Sequence, residues 1–275
     1  MGTATEGFKR YFVWDRTVRI CHWINVICVM ALMGVGLVLL NDKALGVSTE
    51  GKIALKTIHV YIGYVFVLNL IWRIIWGFIG NAYAKWKAIL PFGKQYRTQF
   101  KAFVAGEKEK NSPNFLGHNP IARLMVTLLF LLLAVQAATG LVLAGTDLYL
   151  PPFGHEIAEW VTNAGEDHSK IANLKPYSKE NVDPESYKEM RSFRKPYISL
   201  HIFVFYTLLG AIVLHVAGVV FSEIRERSGL VSAMFTGTKV FSKKPIDLVE
   251  NQASSETEDS DLPRYAGEAL HRTLK

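Results

Sequence analysis

Four histidines lie inside the longest apolar runs of the sequence, where a polar ring needs a binding partner. His22, His59, His201 and His215 each fall within a run rich in Leu, Ile, Val and Phe. A histidine surrounded by hydrocarbon leaves ring nitrogens without hydrogen bonds unless a neighbour or a ligand satisfies them. His201 and His215 are fourteen residues apart, which on a helix gives about 21 Å of rise and a rotation only about 40° short of four full turns. Both rings therefore leave one face of one helix at two depths.

The elements that must position these rings are membrane-spanning helices. The chain has 275 residues, of which 50% are hydrophobic, 12% aromatic and only 20% charged, a composition typical of membrane proteins rather than of soluble domains. At about 1.5 Å of rise per residue, a run of about 20 apolar residues crosses a hydrocarbon core of about 30 Å. We therefore predict an all-α membrane protein, a bundle of four transmembrane helices with spans at 20–40, 58–80, 121–145 and 198–221.

The distribution of Lys and Arg predicts the orientation of the bundle. Basic residues precede the first span and crowd the connection between the second and third, and such an excess is typical of cytoplasmic segments. Both termini are therefore expected in the cytoplasm and the connection 146–197, with a short helix around 156–163, on the outer side. The formal net charge of +7 then reflects membrane orientation, and no nucleic-acid partner is expected. The residues that carry this prediction are Lys9, Arg10, Arg16, Arg19, Lys85, Lys87, Lys94, Arg97, Lys101, Lys108 and Lys110.

The regions outside the spans are assigned from their composition. Residues 1–240 are predicted to form one membrane domain, and residues 241–275 a disordered cytoplasmic tail, because the segment after Lys244 is charged and poor in branched aliphatic residues. His155 and His168 lie in the outer connection and are expected to be exposed side chains without a metal.

The predicted orientation sorts the four histidines into two pairs by depth. His22 and His215 lie near the inner ends of their spans, whereas His59 and His201 lie near the outer ends. Zinc sites use three or four protein ligands, and neither pair has a third ligand in view. Haem iron accepts two axial imidazoles and is commonly buried among the helices of a bundle. The pattern predicts two haems about 20 Å apart, from the helical rise; the alternative is that the histidines only hydrogen-bond between helices.

Two arginines and a glycine follow the same geometry. Arg73 lies fourteen residues after His59, hence on the same helix face at the depth of the inner haem, where a propionate would neutralise it. Arg19, one turn before His22, is a second candidate for the same haem. The alternative for both arginines is that they extend to the inner lipid headgroups. Gly36 faces the depth of the outer haem, where a missing side chain would admit the ring.

The cysteines exclude other redox cofactors. The chain contains Cys21 and Cys28, both in the first span, and no C-x-x-C-H motif. Covalently attached haem needs that motif, and an iron–sulfur cluster needs more thiolates than two. The predicted haems are therefore of the b type.

Several motifs resemble the b-type cytochrome subunit of bacterial Ni/Fe hydrogenases, a family similar to other bacterial dihaem cytochromes b and to the formate dehydrogenase gamma subunit. The resemblance covers Tyr11 to Gly237. It implies four helices that hold two b haems, with His22 paired to His215 and His59 to His201, in agreement with the depths. It also implies a protein of the bacterial inner membrane that takes electrons from a periplasmic dehydrogenase and passes them to a quinone near the cytoplasmic side. The motifs are VRICHWINV, LKTIHVYIGYVF, RIIWGFIGNAYAK, GHNPIARL and EIRERSGLVSAMFTG.

The GHNP motif, Gly117 to Pro120, lies at the start of the third span. A quinone needs hydrogen-bond donors and a route for protons, and His118 or Asn119 could provide both beside the inner haem. The structural alternative is that Asn119 caps the helix, with Pro120 at its first position.

Two other functions remain open at this stage. The chain could be a free-standing cytochrome b that exchanges electrons with a soluble cytochrome c through the long outer connection. It could also be a haem-free transporter or structural bundle in which the histidines relay protons. The expected role is that of an electron-transfer subunit of an oxidoreductase complex, with a dehydrogenase or a cytochrome c as partner.

Overall fold

The computed structural model describes residues 8–109, 111–163 and 168–249, most of them helical. In chain order the elements are β1 Lys9–Phe12, α1 Arg16–Leu40, α2 Thr49–Ile79, α3 Trp86–Ile89, α4 Gly93–Lys108, α5 Pro120–Leu148, α6 Gly154–Thr162, α7 His168–Ala172, α8 Pro184–Glu226, α9 Leu230–Thr236 and β2 Thr238–Phe241.

The four long helices α1, α2, α5 and α8 are each long and apolar enough to cross a membrane, which confirms the predicted bundle. They are longer than the apolar runs because polar caps extend them. Asp15 accepts a hydrogen bond from the Val18 amide at 2.8 Å at the start of α1. Ser48 accepts one from the Gly51 amide at 3.1 Å at the start of α2. Hydropathy thus marks the part of a helix that lies in hydrocarbon, and capping residues set where it begins.

The outer connection is shorter than the predicted 146–197. α5 continues to Leu148, and α8 begins at Pro184 and runs for 43 residues. The Asp183 side chain caps α8 by accepting a hydrogen bond from the Ser186 amide at 2.9 Å, and proline is well suited to the first helical position. The predicted short helix is observed as α6, which packs against α5 and α8.

The bundle packs as two helix pairs, α1 with α2 and α5 with α8, and α2 joins them by packing against α5. Cys28, Phe66 and Leu70 form a buried apolar cluster on α1 and α2. Large apolar side chains such as Leu68 and Phe203 are exposed on the outside of the bundle. A surface of this kind is stable where lipid chains cover it.

The end of the bundle at which α1 begins and α8 ends, called the inner end, is covered by a cap made from distant parts of the chain; the opposite end is called the outer end. β1 and β2 pair antiparallel, with Lys9 opposite Phe241 and Phe12 opposite Thr238. Val13 and Leu116 are fully buried in an apolar cluster beneath this pair. The cap joins the segment before the first span to the segment after the last one.

The prediction of a disordered tail from residue 241 is wrong for residues 241–249. Phe241 is buried in β2, and the Ile246 amide donates to the Asn114 carbonyl at 3.0 Å. The Asp247 carboxylate accepts hydrogen bonds from two backbone amides of the second connection. Composition missed this segment because its order comes from hydrogen bonds to distant backbone, not from its own aliphatic content. Residues 250–275 lie outside the described residues.

Candidate functional site

His59 on α2 and His201 on α8 face each other near the outer end of the bundle. Their ring centroids are 6.4 Å apart and their planes differ by 68°. Two imidazoles bound to opposite sides of one iron have centroids about 6 Å apart, because each coordinating nitrogen lies about 2 Å from the metal. A Cβ added to Gly36 would lie 3.7 Å from His59 Cε1, and one added to Gly140 would lie 3.4 Å from His201 Cε1. Glycine therefore leaves space beside each ring.

The His201 ring also contacts polar side chains of α5. Its Nδ1 lies 2.8 Å from the Thr139 hydroxyl, and its Nε2 lies 3.0 Å from the Gln136 amide nitrogen. The sequence reading missed both residues. Gln136 is a lone amide in an apolar span, and a polar residue in such a place is itself a signal.

The second pair, His22 on α1 and His215 on α8, lies nearer the inner end. The two side chains are close enough to interact electrostatically. The ring of His22 contacts Trp23 edge to face, with centroids 5.4 Å apart. Within the described part of the chain, the Nδ1 atoms of His22 and His59 are buried and lack hydrogen-bond partners.

These features fit haem b. The separation of the His59 and His201 rings is that expected for two imidazoles on one haem iron. In residues 8–109, 111–163 and 168–249 no three His, Cys, Asp or Glu side chains are grouped to hold a metal, whereas a haem iron needs only two axial side chains.

Arg73 is a buried cation whose partners do not balance its charge. Its side chain is 7% exposed, and its Nη2 donates to the Ala84 carbonyl at 3.2 Å. The guanidinium carbon lies 5.9 Å from the Trp86 ring centroid and 5.5 Å from that of Phe130. Its Nη1 is buried without a partner among the described residues. A buried charge left in this way favours binding of an anion.

Arg19 reaches towards the cap. Its Nη1 donates to the Phe235 carbonyl on α9, and its Nε is buried with no partner in the described residues. Trp23 Nε1 donates to the neighbouring Met234 carbonyl at 3.1 Å. Arg19 thus anchors α9 and retains one free donor.

Asn119 and His118 have different surroundings in the turn before α5. The Asn119 side-chain oxygen accepts a hydrogen bond from the Ala122 amide at 2.8 Å, so it caps the helix. The His118 ring packs on Trp14 with centroids 4.8 Å apart. Burial lowers the pKa of His118 to about 3, with further lowering by Lys239, Arg123, Arg73 and His215. His118 is therefore neutral at physiological pH, and its buried Nδ1 has no partner among the described residues.

The segment after α9 holds this turn from both sides. Lys239 is 2% exposed, and its Nζ donates to the carbonyls of Phe115 at 3.3 Å and Gly117 at 3.0 Å. The Asp247 carboxylate accepts from the amides of Leu116 at 2.6 Å and Gly117 at 2.9 Å. We call Lys239 and Asp247 the latch. The sequence reading missed it because β2 has only four residues and its partners lie far away in the chain.

A buried ion cluster lies at the outer end, one turn from His59. The Asp147 carboxylate accepts hydrogen bonds from Lys56 and Arg194, and Arg194 Nη2 lies 2.8 Å from it. The side chains of Asp147, Lys56 and Arg194 are 8%, 17% and 12% exposed. The cluster joins α2, α5 and α8, and it was missed because its members come from three separate elements.

A family model described as prokaryotic cytochrome b561 matches residues 13–237. That range includes the four paired histidines, Arg19, Arg73, His118 and Asn119, and it ends just before the latch. No solved structure matches the chain at a significant level.

Several curated proteins are similar to the chain. A probable Ni/Fe-hydrogenase 1 B-type cytochrome subunit of Escherichia coli (strain K12) is 32% identical over 155 residues, 52% of this chain and 64% of that protein. The chain thus aligns with less than two thirds of the length of this relative. A probable Ni/Fe-hydrogenase B-type cytochrome subunit of Bradyrhizobium diazoefficiens is 22% identical over 250 residues, 87% of this chain and 90% of that protein. One from Rhizobium leguminosarum bv. viciae is 24% identical over 245 residues, 84% and 89% respectively.

Proposed function

Because the chain belongs to the prokaryotic cytochrome b561 family, we propose that it is a dihaem b-type cytochrome that carries electrons between a dehydrogenase and a quinone. The facing rings of His59 and His201, 6.4 Å apart between centroids, carry this proposal. Haem b, when bound by such histidines, supplies an iron that takes up and releases one electron at a time. His59 and His201 hold the outer haem, and His22 and His215 hold the inner one.

The inner haem is further held by arginines. Arg73 and Arg19 each have a buried nitrogen without a partner among the described residues, and a propionate accepts hydrogen bonds from guanidinium groups. The two side chains would thereby bind the propionates of the inner haem. They also compensate two negative charges that the apolar interior could not hold alone.

The quinone site lies at the GHNP turn. Neutral His118 offers a buried Nδ1 without a partner among the described residues, and it can hold or pass on a proton. Asn119 uses its side-chain oxygen in the helix cap, so its amide nitrogen is the donor left for a quinone carbonyl. The exposed basic residues of α4, such as Arg97 and Lys101, support a location of this end at the cytoplasmic side of a bacterial inner membrane.

The electron donor docks at the outer side, on α6 and the connection that leads to α8. Its class is proposed from the similar proteins, which are named as probable cytochrome subunits of Ni/Fe hydrogenases. The chain therefore pairs with a dehydrogenase of the hydrogenase type, and the position of its docking surface follows from the orientation given by the basic residues.

A haem assay on the purified full-length chain tests the proposal. Two haems b per chain and a dithionite-reduced minus oxidised spectrum of a b-type cytochrome are expected. A chain with no haem would instead support a transporter or structural bundle. Co-purification of a dehydrogenase supports the proposed partner, whereas rapid oxidation by soluble cytochrome c without one would favour a free-standing cytochrome.

Cysteine labelling in intact cells tests the orientation. A cysteine at Lys101 on α4 is expected to be protected from an impermeant maleimide, and one at Ser178 in the outer connection to react. The native residues Cys21 and Cys28 are buried and give a low background. The opposite pattern would reverse the orientation and exchange the donor and quinone sides.

A further inference from the structure

The His201 imidazole places both nitrogens and the carbon between them against one face of α5. Nδ1 lies 2.8 Å from Thr139 Oγ1, and Nε2 lies 3.0 Å from Gln136 Nε2. Between them, Cε1 would lie 3.4 Å from a Cβ on residue 140, which is glycine. The side chain of Thr139 is buried. These three contacts, made by residues within about one turn of α5, fix the ring in a single orientation.

The direction of each hydrogen bond follows from the chemistry of the groups. Thr139 Oγ1 lies 2.8 Å from the Val135 carbonyl, and a carbonyl can only accept, so the hydroxyl proton points there. The hydroxyl must then accept a proton from His201 Nδ1. Gln136 Nε2 can only donate, so His201 Nε2 must accept. With the Gln136 amide in this orientation, both ends of the ring are satisfied by the tautomer with hydrogen on Nδ1 and a lone pair on Nε2.

We propose that Thr139 is a positioning residue for His201, which it holds in the tautomer that binds iron through Nε2. The proposal rests on the outer haem site of the proposed function. A histidine whose second N–H donates to a fixed acceptor is a better-oriented and more basic ligand. Such a ligand favours Fe(III), so Thr139 lowers the reduction potential of the outer haem.

His22 and His59 show no such support within the described residues. The Nδ1 atoms of His22 and His59 are buried without a partner in the described residues. His201 is therefore the ligand whose ring is oriented before haem binds. Until then, Gln136 donates a hydrogen bond to its Nε2, and the iron would replace that bond. This makes the outer site the more preorganised of the two.

Replacement of Thr139 by valine, which has the same shape but no hydroxyl, tests the role. The outer haem is identified as the redox transition that is absent from a His201→Ala variant. In T139V this transition is expected to move to a higher midpoint potential, or the outer haem is lost. T139S keeps the hydroxyl and is expected to behave as wild type. An unchanged midpoint in T139V with both haems bound would overturn the proposal, as would loss of the outer haem from T139V and T139S alike.

A matched control comes from α8. The Thr207 hydroxyl donates to the carbonyl of Phe203, four residues earlier, at 2.9 Å. Thr207 lies on the exposed surface of the bundle. T207V removes the same kind of hydrogen bond and is expected to leave both midpoints in place. A shift in T207V equal to that in T139V would mean that helix geometry alone is responsible.

A haem-free measurement separates this proposal from the proposed function. ¹⁵N chemical shifts of labelled histidine in the full-length chain without haem report which ring nitrogen carries hydrogen. The His201 signal, identified by its absence from His201→Ala, is expected in the Nδ1–H form and to lose that preference in T139V. An Nε2–H form in wild type would overturn the role of Thr139, even if two haems bind as proposed.

Discussion

At the outer end of the bundle, Asp147 accepts hydrogen bonds from Lys56 and Arg194, whereas at the inner end Arg73 and Arg19 each keep a buried nitrogen without a partner among the described residues. At the outer end both cations contact the same carboxylate of the protein. Among the described residues, the buried nitrogens of the inner cations have no carboxylate in contact. The comparison supports a structural role for the outer cluster and the proposed role of the inner cations in anion binding.

The largest expected effect is the loss of one haem, and which haem is lost should depend on the end of the bundle at which a histidine is replaced. Replacement of His59 or His201 by alanine should remove one haem and leave the other, and replacement of His22 or His215 should remove the opposite one. The reason is that each iron depends on both axial ligands of its own pair. Haem-to-protein ratios of the purified variants measure this, with a fall from two to one expected.

His155 provides the control for these variants. It lies on α6, is exposed and contacts Glu159 at 3.2 Å, so His155→Ala should retain both haems. Loss of both haems from any single ligand variant would contradict independent sites.

The second effect concerns the outer ion cluster. Asp147→Asn leaves Lys56 and Arg194 buried without their anion, and breaking a buried pair in this way costs about 3–5 kcal/mol. Thermal unfolding in detergent should show a marked fall in stability. Asp42→Asn is the control, because Asp42 pairs with Lys52, whose side chain is 32% exposed, and it should be much milder. Equal falls in stability for the two variants would show that burial of the outer cluster does not make its ion pairs more important than an exposed pair.

The third effect is on electron transfer to quinone at the inner end. Replacement of His118 and Asn119 together by alanine should leave both haems reducible but slow their reoxidation by quinone by at least about tenfold, because a proton donor is lost. Asn119→Ser controls for the cap, since serine caps about as well as asparagine. Stopped-flow reoxidation by a quinone analogue measures the rate. Normal reoxidation of the double variant with both haems bound would move the quinone site away from this turn.

The smallest effect is a shift in potential at the inner haem. A nearby cation stabilises the reduced, less positive iron, so Arg73→Gln should lower the midpoint of the inner haem. Arg73→Lys keeps the charge and should change it less. A redox titration that resolves the two haems provides the measurement, and a shift confined to the outer haem would remove Arg73 from the inner site.

The features that sequence predicted are those set by local rules. The four spans followed from hydropathy, and the capping role of Asn119 followed from its position before Pro120, because helix length and capping depend on neighbouring residues. The matching depths of His59 and His201 followed from their positions near the ends of their spans. Their rings face each other because α2 and α8 both pack against α5.

What sequence did not predict depends on contacts between distant residues. Thr139 and Gln136 acquire their roles only when α8 brings His201 against α5. In the sequence, Asp147 is only an acidic residue at the end of a span; its role depends on contacts with Lys56 and Arg194 in the folded chain. Residues 241–249 are ordered by hydrogen bonds to backbone groups more than a hundred positions earlier. Amino-acid composition does not indicate such pairing.

The latch has a consequence for biogenesis. Lys239 and Asp247 satisfy the backbone of the turn that carries His118, yet they are synthesised after all four membrane helices. Until Lys239 and Asp247 have been synthesised, the carbonyls and amides of that turn lack these partners, so the inner end of the bundle is the last part to close. A nascent chain arrested before Lys239 would contain all four long helices and would still have an incomplete inner end.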